Sequence, residues 1–253
     1  VRDDVTYIGS SFSFSNDGRF NKFAYFQKSD VDILAGAIAD SVRTFAREHH
    51  SPKRLIIHFY KTMSQKELAP ILRELTALEL AIPVFIVSIN KTASRDIIAF
   101  DNNWEEKMPK SGTIINIGAY RYLLFNNTRY GHYEPNLFDG YPFPVKLQLR
   151  CSEPALLEDE KTKQELIDQV YQFSRMYWKS LRQQNLPVTI KYPEMVAQIA
   201  PHFEGGDIPP FGKNNLWFLW NVGFLRCIFR DVVVKMDFIL GFIKKDEEIL
   251  LGL

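Results

Sequence analysis

Hydrophobic and polar positions follow two different periods along the chain, and the switches between them mark its elements. Val5 to Ser13 is β-branched and aromatic, Asn16-Asp17-Gly18 is a hairpin signal, and Phe20 to Gln27 offers Phe20, Phe23 and Tyr25 for packing. The period then lengthens: behind a cap at Asp30 or Asp32, Ile33, Leu34, Ile38, Val42 and Phe45 recur at helical spacing. Arg54 to Phe59 is a short apolar run of the buried, parallel type. Ser64 and Glu67 frame a capping box that opens a helix through Leu68, Ile71, Leu72, Leu75 and Leu78. Pro83 to Ile89 is another buried strand. Strand, hairpin, strand, helix, strand, helix, strand predicts a mixed α/β sheet.

Asp101 to Gly112 is polar, with Trp104 and two lysines, and reads as a loop. Strands are predicted near Thr113 to Ile117, Tyr120 to Phe125 and Val145 to Arg150, with an ordered loop from Tyr130 to Pro144 rich in Gly, Pro and aromatics. Glu158 to Arg182 is a long helix carrying Leu166, Val170, Phe173 and Tyr177 on one face. Asn185 to Tyr192 reads as a Pro-led strand whose end presents Lys191 and Tyr192. A short helix, Pro193 to Ala200, follows with Pro at its first position. From about Gly223 the tail looks helical. Arg226, Arg230, Asp231, Lys235 and Asp237 leave it too charged to span a membrane.

Composition adds bounds. The chain has 253 residues, 46% hydrophobic and 24% charged, enough for one large domain with a substantial core. Its net charge of +1 does not call for a nucleic acid, so any basic face must be local. Cys151 and Cys227 form no CxxC or Cys/His spacing, which gives neither a zinc site nor a disulfide framework and fits a reducing, cytoplasmic location. Val1-Arg2-Asp3-Asp4 has no initiator Met and no signal core, and the first strand follows at once, which suggests a missing upstream part.

Two stretches carry candidate chemistry. Tyr120 to Phe125 ends in Asn126, Asn127, Thr128 and Arg129, groups able to donate hydrogen bonds to phosphate and sugar oxygens; the alternative is a wet hairpin tip. Between Arg175 and Lys191 the chain carries Arg175, Lys179, Arg182 and Lys191 and no acid. Lys179 and Arg182, three apart, share a helical face, and the alternative is a solvated face. The five histidines show no ligand spacing; His58, between Ile57 and Phe59, reads as a core residue.

These stretches together resemble the second half of a Piwi domain, the nuclease-like lobe of Argonaute proteins, and most closely the short prokaryotic Argonautes. The resemblance runs from about Val5 to Leu219 and is densest between Arg121 and Phe203. It implies an RNase H-like fold over residues 1–219, a mixed sheet flanked by helices, with a MID domain upstream. Residues 220–253 are then a helical extension of unassigned role.

An active member needs clustered carboxylates to hold two divalent ions. The resemblance puts Ser11 at the first acidic position, on the opening strand, and Lys61 at the second, with Thr62 in place of a glycine. Glu194 lies near the fourth position, and the third is not placed among Asp30, Asp32 and Asp40. The expectation is therefore binding without cutting. Lys61 either supplies the positive charge of the metal to a phosphate or is a solvated lysine.

By the same resemblance Arg175, Lys179, Arg182, Asn185 and Lys191 hold the guide backbone, and Asn126, Asn127, Thr128 and Arg129 serve the other strand end. Such contacts give affinity and register, while base pairing supplies sequence. The implied partners are a guide RNA, a single-stranded target DNA and a TIR- or sirtuin-like effector with an Argonaute-associated domain, in defence against plasmids or phage. No cofactor for chemistry and no membrane are implied; a Mg²⁺ near the guide 5′ end is allowed. Family members commonly stop near Asn215-Leu216-Trp217-Phe218-Leu219, and this chain runs on, which departs from a pocket closed by a terminal carboxylate. Two rivals stand: an active nuclease drawing acids from Asp3, Asp4 or Glu194, and a docking lobe that touches no nucleic acid.

Overall fold

The computed structural model describes residues 7–14, 20–27, 31–48, 52–90, 97–129, 143–177, 186–199 and 248–252. Contacts divide the chain into two units, Val1–Ile56 with Ser64–Pro83 and Tyr192–Leu253, and Ile57–Met63 with Val84–Lys191.

In the first unit, β1 (Tyr7–Phe14) and β2 (Phe20–Gln27) pair antiparallel, Tyr7 opposite Gln27 and Phe14 opposite Phe20. The hairpin residues 16–18 lie outside the described residues. Helix α1 (Val31–Glu48) buries Leu34, Ala35, Ile38, Ala39 and Val42, while Ile33 is 59% exposed. Ala35 and Ala39 complete the stripe that Ile33 was expected to begin. Helix α2 (Gln65–Ala77) starts at Ser64, whose N–H and hydroxyl both donate to Glu67 at 2.8 Å. Leu68, Ile71 and Leu75 face inward.

One expectation for the tail is corrected here. Glu248–Gly252 is a strand rather than a helix. It lies antiparallel to β1 with Gly252 opposite Ser11. Its apolar run Ile249-Leu250-Leu251 is too short to carry a helical period, so pairing with an available strand decides its form. Residues 220–247 lie outside the described residues.

β3 (Arg54–Phe59) belongs to both units, its residues from Ile57 falling in the second. The second unit orders its strands β3, β4 (Val84–Asn90), β7 (Val145–Cys151), β6 (Arg121–Phe125) and β5 (Thr113–Asn116), and the strand Glu248–Gly252 is β8. Val84 to Ile89 are all buried, the mark of a central strand covered on both faces. From β4 outward the pairings are antiparallel. This is the expected mixed sheet flanked by helices.

Helix α3 (Glu160–Arg175) is N-capped by Asp159, which accepts from the Thr162 N–H at 2.8 Å and its hydroxyl at 2.6 Å. It buries Leu166, Ile167, Val170 and Phe173; residues 178–185 lie outside the described residues. The β5–β6 hairpin turns through Ala119 and Tyr120 at φ 52° and 54°, both in the left-handed region.

The strand expected at Asn185 to Tyr192 is a helix instead. Helix α4 runs Val188–Ile199, with the Pro187 carbonyl accepting from the N–H groups of Ile190 and Lys191 at 2.9 Å. Val188, Thr189, Ile190 and Tyr192 are all buried, so burial around the helix start overrides the β-branched preference of the run. Pro193 therefore sits inside the helix rather than at its start. No helix among the described residues is long and apolar enough to cross a membrane.

Candidate nucleic-acid interface

In the second unit a polar cluster forms where the loop before β5, the end of β6 and the end of α3 converge. Ser111 is its hub. Its N–H donates to the Arg129 carbonyl at 2.6 Å and its hydroxyl to the Asn126 carbonyl at 3.1 Å. Arg175, in the last turn of α3, donates to the Ser111 hydroxyl and to the Tyr171 hydroxyl, the latter at 3.2 Å, and stacks over the Tyr171 ring at 4.9 Å. Gly112 next to the hub has φ +89°, a backbone conformation that favours glycine, and its N–H reaches the Phe125 carbonyl at 2.9 Å. Two expected sets of site residues, Asn126 to Arg129 and Arg175, thus meet at one serine.

They do not meet as a wet tip. Asn126 and Thr128 are buried, and Arg129 is 9% exposed. The Arg129 guanidinium lies 3.9 Å from the Trp104 ring, donates from Nη2 to Asp101 at 3.1 Å and from Nε to the Met108 carbonyl at 3.3 Å. The other Asp101 oxygen accepts from the Asn103 N–H at 3.0 Å and holds the loop's turn. An arginine so paired is committed to its loop, and its charge is matched at close range. Thr128 and Arg129, expected to present donors to a nucleic-acid backbone, are both buried here. Asn127, half-buried, keeps accessible surface.

Lys191 lies in the first turns of α4, partly exposed among buried neighbours. That helix start is fixed by the Thr189 hydroxyl, 2.7 Å from Nδ1 of His58. His58 is fully buried on β3 against the edge of Phe173, and desolvation pushes its pKa down to about 3, so the ring is neutral. Lys179, Arg182 and Asn185 lie outside the described residues. Ser111, Tyr171, Asp101 and Trp104 were not expected in the site. Only the loop's mixture of Trp104 with Asp101 and lysines hinted at a partner for a buried cation.

No protein-family profile matches the chain. A Piwi protein of Archaeoglobus fulgidus is 27% identical over 178 residues, 68% of this chain and 41% of that protein. The solved structure of A. aeolicus Argonaute is similar with a TM-score of 0.52 at 15% identity, over 80% of this chain and 27% of that one. A second structure of Aquifex aeolicus Argonaute gives 0.50 at 15% identity, over 79% and 29%. The chain has the Piwi/Argonaute-like fold. It spans less than half of the Piwi protein and under a third of the Argonautes.

Within this Piwi-like fold, Ser11 lies on the opening strand β1, opposite Phe23 of β2, and Lys61 follows the end of β3, the strand after α1. The Lys61 ammonium lies 5.7 Å from the ring centres of both Phe59 and Tyr60. Of the unplaced acids, Asp32 pairs with Arg73 at 2.7 Å and Asp40 with Arg43 at 2.8 Å, both exposed on α1; Asp30 lies outside the described residues. Glu194 is on α4. Among the described residues no three His, Cys, Asp or Glu side chains are grouped to hold a metal ion.

Proposed function

We propose that this Piwi-like chain holds a nucleic-acid strand and presents it to a complementary strand without cutting either. The reading is supported by the Piwi/Argonaute-like fold and by Lys61, just after β3, which the resemblance puts at the second acidic position of a cutting member. An ammonium there favours a phosphate and disfavours the cation that hydrolysis needs. Arg175, Lys179, Arg182, Asn185 and Lys191, with Asn127 on the other side, supply the remaining backbone contacts. The finer reading extends to an RNA guide, a single-stranded DNA target and an output through a partner effector. It is supported by the resemblance of the segments between Arg121 and Phe203 to short prokaryotic Argonautes.

The test is gel-shift titration of the chain against a labelled 5′-phosphorylated RNA at low salt, compared with the Lys179→Ala/Arg182→Ala variant. The reading expects a shift that weakens with salt and is reduced in the variant. No shift for either protein would leave a docking lobe that touches no nucleic acid.

A further inference from the structure

From Leu55 to Phe59, β3 is apolar and buried except at one position, where the buried residue is His58. The ring makes one polar contact, from Nδ1 to the Thr189 hydroxyl at 2.7 Å. Its Nε2 is buried with no hydrogen-bond partner. An unpaired buried polar atom is costly, and an apolar side chain of similar volume between Ile57 and Phe59 would not carry that cost. Volume alone therefore does not account for a histidine here, whereas the Nδ1 contact does.

The other end of that contact is the first turn of α4. Thr189 is itself fully buried, and the Pro187 carbonyl closes the turn around it by accepting from the N–H groups of Ile190 and Lys191 at 2.9 Å. From Leu186 to Lys191 every residue is buried except Lys191. A helix advances about 100° per residue, so Thr189 and Lys191, two apart, lie on nearly opposite sides of its axis. With Thr189 drawn in to His58, Lys191 is turned outward. Lys61 follows His58 just past the end of β3. One buried hydrogen bond thus joins the strand leading to Lys61 to the helix turn carrying Lys191, and His58, Thr189 and both lysines lie in the second unit.

We infer that His58 is a positioning residue for strand binding: its hydrogen bond to Thr189 sets the first turn of α4, so that Lys191 and Lys61 meet phosphates of one strand from fixed origins. The inference rests on the strand-holding function proposed above and adds to it a residue that touches no nucleic acid. A lysine ammonium rides on a flexible stem, and what the protein fixes is the backbone beneath it. Burial keeps the ring neutral, with its pKa pushed down to about 3, so the contact keeps one form throughout the neutral pH range.

Fluorescence anisotropy of a labelled 5′-phosphorylated RNA over a salt series tests this in a double-mutant cycle of Thr189→Val and Lys191→Gln. Thr189→Val keeps the shape of the side chain and removes the hydroxyl, and melting curves establish that each variant is folded at the assay temperature. Each phosphate contact contributes about 0.7 to the slope of log affinity against log salt for a single strand. Either exchange should lower the slope by about 0.7, about 5-fold in affinity per decade of salt, and the two together by about 0.7 rather than about 1.4. His58 supplies a second readout that does not depend on Thr189→Val folding. His58→Asn places an amide where Nδ1 stands and should keep the slope, while His58→Gln places it at Nε2 and should lower it. A role set by side-chain volume would favour Gln, so the reverse ranking overturns the inference. Additive losses in the cycle, or a full slope in Thr189→Val, also overturn it, and the proposed function stands if Lys179→Ala/Arg182→Ala still lowers the slope. Absence of any RNA binding by the unaltered chain overturns both.

Discussion

Arg129→Ala distinguishes a structural arginine from a nucleic-acid contact. The guanidinium makes a charge-assisted bond to Asp101 at 3.1 Å, a bond to the Met108 carbonyl at 3.3 Å and a stack on Trp104 at 3.9 Å. Hydrogen bonds to charged groups contribute roughly 1.5–3 kcal/mol and a cation–π contact about 1 kcal/mol. Breaking a buried pair from one side costs about 3–5 kcal/mol. The Asp101 side chain is 27% exposed and can rehydrate, so the expected loss is discounted to about 3 kcal/mol. At about 2–3 kcal/mol per molar urea, the unfolding midpoint should drop by about 1 M. Arg129→Lys should recover little of it, because an ammonium cannot reach Asp101 and Met108 together in the fork geometry. The assay is urea unfolding followed by Trp fluorescence, alongside the salt slope of strand binding for the folded variant. A midpoint within 0.2 M of the unaltered protein (on the order of 0.5 kcal/mol), with the slope reduced by about 0.7, would refute the reasoning and return Arg129 to the interface.

Three further expectations follow from single features. His58 has a folded pKa of about 3 against 6.5, so above pH 6.5 it contributes no pH dependence. As pH falls below 6.5 the unfolded chain takes up a proton that the folded chain refuses, and stability drops by about 1.4 kcal/mol per unit. Urea midpoints between pH 7 and 4.5 should lose that component in His58→Gln, and an equal slope in both proteins would contradict it. Ala119→Gly removes a left-handed alanine costing about 1–2 kcal/mol, partly offset by glycine's entropy, and should raise the melting temperature by about 2 °C; a fall would contradict the strained turn. Lys61→Asp should weaken strand binding and lower its salt slope by at least about 0.7; unchanged affinity would make Lys61 a solvated lysine.

Local signals in the sequence were reliable wherever an element is defined by its own residues. β2 occupies Phe20–Gln27 as its aromatic positions predict, and the Ser64–Glu67 capping box opens α2. The reading failed where distant partners decide. Val188-Thr189-Ile190 looks like a strand because its residues are β-branched, and it is helical because it is buried all round and tied to His58, 131 residues earlier. Asn126 to Arg129 looks exposed because its residues are polar. Asn126, Thr128 and Arg129 are buried, and Asp101 and Trp104, on a stretch that reads as a polar loop, hold the Arg129 guanidinium.

The central claim is that the chain holds a strand and does not cut. The most direct measurement incubates it with a 5′-phosphorylated RNA guide and an end-labelled complementary DNA, with Mg²⁺ or Mn²⁺, followed by native and denaturing gels of the same samples. The account predicts guide-dependent retention of the DNA at full length with either ion. A shortened DNA product that requires both guide and metal would contradict it, and would mean that acids outside the positions of Ser11 and Lys61 complete a working metal site.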